Sequence, residues 1–147
     1  MPKGNQIVRK TQDLSGIREL KMKEIHKPSS FEGALWTAFG IKDAQIIFHA
    51  PPGCYLSQSG ALTQEYYFDL YTTFLSYANV MQGAEDRLEE VLKKITAKKP
   101  RLVIIVTSPV VEITGDDVEG VVDKVGYKNC VIIHPPIGGT LSEGREK

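Results

Sequence analysis

Ala44-Gln45-Ile46-Ile47-Phe48-His49-Ala50-Pro51-Pro52-Gly53-Cys54 is the stretch that decides how this chain is read. Residues 44–48 are a short apolar run, which predicts a buried strand. Two prolines and a permissive glycine then prevent the strand from continuing. A thiol follows at the mouth of a strand-to-helix turn, where α/β proteins collect their chemistry. A cysteine in that place serves as a nucleophile, a redox thiol or a metal ligand.

Reading outward, residues 31–39 predict a helix, with Ser29 or Ser30 able to cap it and Gly40 at its end. After Cys54, residues 56–63 predict a short helix, residues 66–75 a second strand and residues 79–82 a loop. Residues 84–98 predict the clearest helix, because Leu88, Val91, Leu92 and Ile95 recur at helical spacing. Its Glu89–Lys93 and Glu90–Lys94 pairs add only about 0.3 kcal/mol each. Pro100 marks the exit from this helix.

Residues 102–106 are another continuous, β-branched apolar run and predict a strand covered on both faces. Residues 115–125 predict a helix opened by Asp116 and Asp117. Residues 130–133 predict a further buried strand, residues 135–140 a loop and residues 141–147 the start of another helix. Strands alternating with helices imply an α/β fold with a mostly parallel sheet and right-handed crossovers.

The chain has 147 residues, the size of one domain with a real core. Its formal charge is zero, so no global basic field argues for nucleic acid. Residues 1–30 hold seven Lys/Arg against three Asp/Glu. Residues 1–28 therefore read as a polar, basic arm, in its simplest reading a solvated one. No stretch approaches the ~20 apolar residues of a membrane span. Two cysteines, Cys54 and Cys130, make no disulfide framework, so the expected compartment is the cytoplasm with reduced thiols.

The candidate site residues carry bland readings as well as sharp ones. His49 and Cys54 are good transition-metal donors, but a zinc site wants four ligands at recognisable spacing, and there is no CxxC pair. Cys54 as a nucleophile needs a helix N-terminus or a cation to lower its pKa. Cys130 lies in an apolar run and reads as a small buried hydrophobe. Glu112, Asp116 and Asp117 suit a hard cation, yet such a cluster is more often a helix cap plus solvated charges. Gly138-Gly139-Thr140 is a weak phosphate-loop signal.

Five short segments, taken together, resemble the component 1 family of nitrogenases. That family includes the molybdenum–iron protein subunits, their cofactor-assembly scaffolds and the dark-operative protochlorophyllide and chlorophyllide reductases. Phe31-Glu32-Gly33-Ala34-Leu35 with Ile41-Lys42-Asp43-Ala44 looks like the family's opening helix and turn. His49-Ala50-Pro51-Pro52-Gly53-Cys54 looks like its His-Gly-Pro-x-Gly-Cys turn. Gly83-Ala84-Glu85 looks like its Gly-Gly-Glu helix start, and Glu112-Ile113-Thr114-Gly115-Asp116-Asp117 like its Glu-x-Ile-Gly-Asp-Asp segment. Gly139-Thr140-Leu141-Ser142-Glu143-Gly144 looks like the loop closing its first domain.

The resemblance covers residues 29–147 and implies a three-layer, Rossmann-like first domain. It implies electron transfer or metallocofactor handling through an iron–sulfur cluster held by cysteines of two subunits at their interface. It also implies an ATP-dependent iron protein as electron donor. Oxidoreductase activity is expected only with partner chains, in a homodimer or beside a related larger subunit. Cys54 is then the iron ligand, with Gly53 letting the backbone approach and His49 behind it.

The departures are specific. Ser29 stands where the family has a cysteine near the opening helix, and its oxygen is a poorer donor. Pro109 stands where the family has another cysteine, and offers no donor at all. One thiolate per chain does not hold a four-iron cluster, whereas a two-fold dimer supplies two. Two competing readings stay open at this point. One is a non-enzymatic module that has lost the cluster, and the other a thiol-dependent enzyme using Cys54.

Overall fold

The computed structural model describes residues 29–54 and 70–138. Four strands, β1 (Ala44–His49), β2 (Leu70–Thr72), β3 (Leu102–Thr107) and β4 (Cys130–Ile133), pair in one sheet. The order is β2-β1-β3-β4 and every pair is parallel. Five helices accompany them among the described residues: α1 (Ser30–Phe39), α2 (Tyr77–Gln82), α3 (Glu85–Thr96), α4 (Pro109–Thr114) and α5 (Val118–Val125). None of these is long and apolar enough to cross a membrane.

The two apolar runs become the central strands because both of their faces are covered. Ile47, Val103 and Ile105 point to one side, where they meet Leu88, Leu92 and Ile95 of α3 and Val118 and Val121 of α5. Ile46, Phe48, Ile104 and Val106 point to the other and meet Ala34, Leu35 and Ala38 of α1. Small residues on α1 let it lie close to the sheet, and Phe31 stacks on Phe48 at 5.8 Å between ring centroids. Each buried Leu, Ile or Phe contributes about 1.5–3 kcal/mol. The result is the three-layer, Rossmann-like α/β arrangement.

Strand order reverses between β1 and β3. The chain leaves β1 to form β2 on one side, then crosses over to form β3 on the other. The C-terminal ends of β1 and β3 therefore form the switch-point edge, the usual ligand position in such sheets. Register places His49 opposite Thr107 at this edge.

Four expectations need correction. The strand β4, expected to be buried, lies last in the strand order, so Val131 is exposed and Cys130, Ile132 and Ile133 are only partly buried. Residues 79–82 are not loop but the second half of α2. Ser76 and Asn79 form a reciprocal cap, with the Ser76 hydroxyl accepting the Asn79 N–H and the Asn79 side chain accepting the Ser76 N–H. The helix buries no residue, so it left no apolar periodicity to read. The second strand is confined to Leu70–Thr72, since Phe74 turns left-handed with φ 50° and ends the extended run; residues 66–69 lie outside the described residues. Finally, Gly115 ends a helix instead of opening one. It is the left-handed C-cap of α4, which went unpredicted, and α5 begins after Asp117. The expected helix at 56–63, the arm at 1–28 and the segment 139–147 also lie outside the described residues.

Candidate functional site

Cys54 sits at the switch-point edge. Its backbone N–H donates to Pro51 O at 3.2 Å, closing the turn, and residues 52–54 are already helical. Its half-buried side chain packs on the α1 side of the sheet, against the group formed by Ala34, Leu35, Phe48 and Ala50. That burial raises the thiol pKa. A catalytic nucleophile wants the opposite shift, so the surroundings favour a thiol that another charge, such as a metal, would have to ionise.

The strand end before the turn is tied down on both sides. Thr73 N–H donates to Phe48 O, Leu75 N–H to Ala50 O and Ser108 N–H to His49 O. Thr73 also lends its side chain: the hydroxyl accepts the Ala50 N–H at 3.1 Å and lies 3.0 Å from His49 Nδ1. His49 is wholly buried, and its Nε2 has no hydrogen-bond partner among the described residues. The closest carboxylate oxygen, Asp116 Oδ2, is 3.6 Å from that nitrogen.

Burial pushes His49 down to about 4, against the pull of the Glu85 carboxylate, so the ring is neutral near pH 7. Burial also raises Asp116, opposed by a hydrogen bond from the Thr114 hydroxyl, reinforced by the charge of Glu85 and opposed again by the Ala84 N–H.

The other predicted residues are dispersed. Ser29 is the N-cap residue of α1, where its N–H and its hydroxyl both donate to the Glu32 carboxylate. Pro109 is the first residue of α4, behind the Ser108 cap, a position where the missing N–H costs nothing. Gly53 is exposed, and a Cβ there would meet nothing among the described residues. Cys130 begins β4 at the opposite end of the sheet, and burial raises its thiol to about 11. Gly138 ends the described residues in a turn, so the phosphate-loop segment lies mostly beyond them.

The acidic segment does not converge on one point. Asp117 caps α5 by accepting the Gly120 N–H at 2.9 Å. Asp116 faces His49. Glu112 accepts from the Thr107 hydroxyl and pairs with His134 Nδ1, whose Nε2 contacts Glu119. Sequence reasoning missed Thr73 and His134. Neither has a local signal, because their partners are 24 and 22 residues away.

These positions can be tested against an iron–sulfur cluster. Among the described residues, no group of three or more His, Cys, Asp or Glu side chains is placed to hold a metal ion. The described part of one chain brings one thiol to the switch-point edge and one hydroxyl engaged with Glu32. That donor set does not fit a cluster held within a single chain.

The comparisons with known proteins bear on this directly. Residues 29–147 match the family model described as nitrogenase component 1 type oxidoreductase. The chain belongs to that family. A relative in this component 1 group, the nitrogenase vanadium-iron protein beta chain of Trichormus variabilis, is 34% identical over 97 residues, covering 63% of this chain and 21% of that protein. Component CfbD of the Ni-sirohydrochlorin a,c-diamide reductive cyclase complex of Methanothermobacter thermautotrophicus is 30% identical over 114 residues, 77% of this chain and 32% of that protein. Among solved structures, nitrogenase Cp1 at pH 5 superposes with a TM-score of 0.66 at 18% identity, over 81% of this chain and 28% of that one. The last likeness concerns the fold. This component 1-type chain thus spans between a fifth and a third of the length of these relatives.

Proposed function

We propose that this component 1-type chain works in electron transfer or metallocofactor handling, as part of an assembly of related chains. Residues 29–147 act as the first-domain unit and residues 1–28 as an arm. Cys54 donates one thiolate to an iron–sulfur cluster lying between two chains, either two copies of this one or this chain and a related larger subunit. Gly53 leaves the approach open, and Ser29 lies on the α1 end of the same edge. The setting is cytoplasmic, and an ATP-dependent iron protein supplies the electrons.

The observation that carries this reading is the placement of Cys54. A cysteine that the described residues do not complete into a metal site stands on a tightly held turn at the switch-point edge. Iron and acid-labile sulfide analysis of the chain purified under strict anoxia tests it. The expected result is one cluster per two chains, lost in Cys54→Ala. Protein that stays iron-free under anoxia, alone and with a larger component 1-type subunit, overturns it.

A second reading is favoured by Pro109 and by the raised Cys54 pKa: a module that keeps the packing surface without a cluster. It predicts that Cys54→Ala still joins the larger subunit with unchanged affinity.

A further inference from the structure

We propose that Thr73, His49 and Asp116 are the positioning residues of the Cys54 turn, acting as one buried polar chain in which Thr73 is within hydrogen-bond distance of His49 and Asp116 lies 3.6 Å beyond it. The Thr73 hydroxyl accepts the Ala50 N–H and also lies 3.0 Å from His49 Nδ1, as donor or acceptor according to the ring tautomer. His49 Nε2 is buried, has no hydrogen-bond partner among the described residues and faces Asp116. The chain therefore links three segments that are far apart in sequence: the exit of β1, the exit of β2 and the connection between α4 and α5.

An apolar side chain at position 49 would fill the same space without burying a polar nitrogen, and a leucine or phenylalanine there would carry no desolvation cost. What the imidazole adds is direction. It fixes where the strand ends and so where Pro51, Pro52 and Cys54 begin. Backbone bonds alone leave the Ala50 N–H without its acceptor. Thr73 supplies that acceptor in the same conformation that meets His49. The role extends the proposed use of Cys54, but it concerns the thiol itself and does not require iron.

The test is run on the metal-free full chain. Cys54 and Cys130 are alkylated with iodoacetamide at one pH, and each is followed by mass spectrometry. Cys130, at the far end of the sheet, is the internal reference. In Thr73→Val and in His49→Phe, Cys54 is expected to react about tenfold faster than in the parent while Cys130 is unchanged, the effect of losing roughly one buried hydrogen bond. Thr73→Ser, which keeps the hydroxyl, is expected to restore the parent rate. An unchanged Cys54 rate overturns the proposal. So does equal acceleration of both cysteines, which reports global loosening. Where Thr73→Val does not fold, Asp116→Asn replaces it: the same selective acceleration is expected, and its absence overturns the proposal. Since no iron is present, failure here is separate from failure of the cluster reading.

Discussion

His49 Nε2 faces Asp116 Oδ2 across 3.6 Å inside the protein, with the imidazole fully buried and the carboxylate nearly so. The two respond to acid in opposite directions. His49 binds a proton below about 4 when folded, and near 6.5 when unfolded. Between those values the unfolded chain holds more protons, so stability falls as pH falls from 6.5 towards 4, by roughly 3 kcal/mol in all. Asp116, raised by burial, gains its proton earlier in the folded state and partly offsets this at the acid end. The charge of Glu85 moderates the His49 shift and reinforces that of Asp116. Urea unfolding at pH 7, 6 and 5 is expected to show the midpoint dropping with acid. His49→Gln should flatten that slope relative to the parent, and an identical slope in the two proteins would remove His49 as its source.

The start of α5 offers a sharper local test. Asp117 accepts the Gly120 N–H at 2.9 Å, and a Cβ on Gly120 would land 2.2 Å from an Asp117 carboxylate oxygen. Asp117→Ala should therefore cost about 1 kcal/mol. Gly120→Ala should cost a similar amount despite its better helix propensity, because it evicts the cap. The double variant should cost much less than the sum, since both changes remove one interaction. Additive costs in thermal unfolding would mean the two residues act separately.

How far the sequence carried depends on what each element buries. The helix α3 was readable because Leu88, Val91, Leu92 and Ile95 must all face the sheet. The strands β1 and β3 were readable because burial on both faces leaves no room for polar residues. By contrast α2 buries nothing, and α4 is a six-residue helix of β-branched character whose signal is a Ser-Pro start. At the site, Cys54 announced itself by a glycine–proline turn after a strand. Thr73 and His134 act through partners brought close only by the sheet, so no local pattern marks them.

Gly53 separates a requirement of the fold from a requirement of function. It is exposed, with open space where a Cβ would go among the described residues, so the packing there does not demand glycine. Gly53→Ala is expected to keep stability, or to raise it by up to about 1 kcal/mol by restricting the unfolded chain. If the variant stays equally stable but loses iron or partner binding, the small residue is there for what approaches from outside. A loss of stability in urea titrations would instead return Gly53 to a structural role.

Local and global stability should come apart at α2. Its cap is the Ser76–Asn79 pair, and none of its residues is buried, whereas α3 sinks four side chains into the core. Ser76→Ala should cost α2 about 1 kcal/mol of local stability, because only the partly buried Val80 packs on the core to compensate for the lost cap. In hydrogen exchange, the α2 amides are expected to lose about fivefold protection while those of α3 keep theirs, and the global urea midpoint should stay fixed. The two helices are joined through Gly83, which lies at φ 99° and ends α2, and Ala84, the N-cap residue of α3. A change that did spread into α3 would show that the two helices open together, as one unit at the end of the sheet where Cys54 lies.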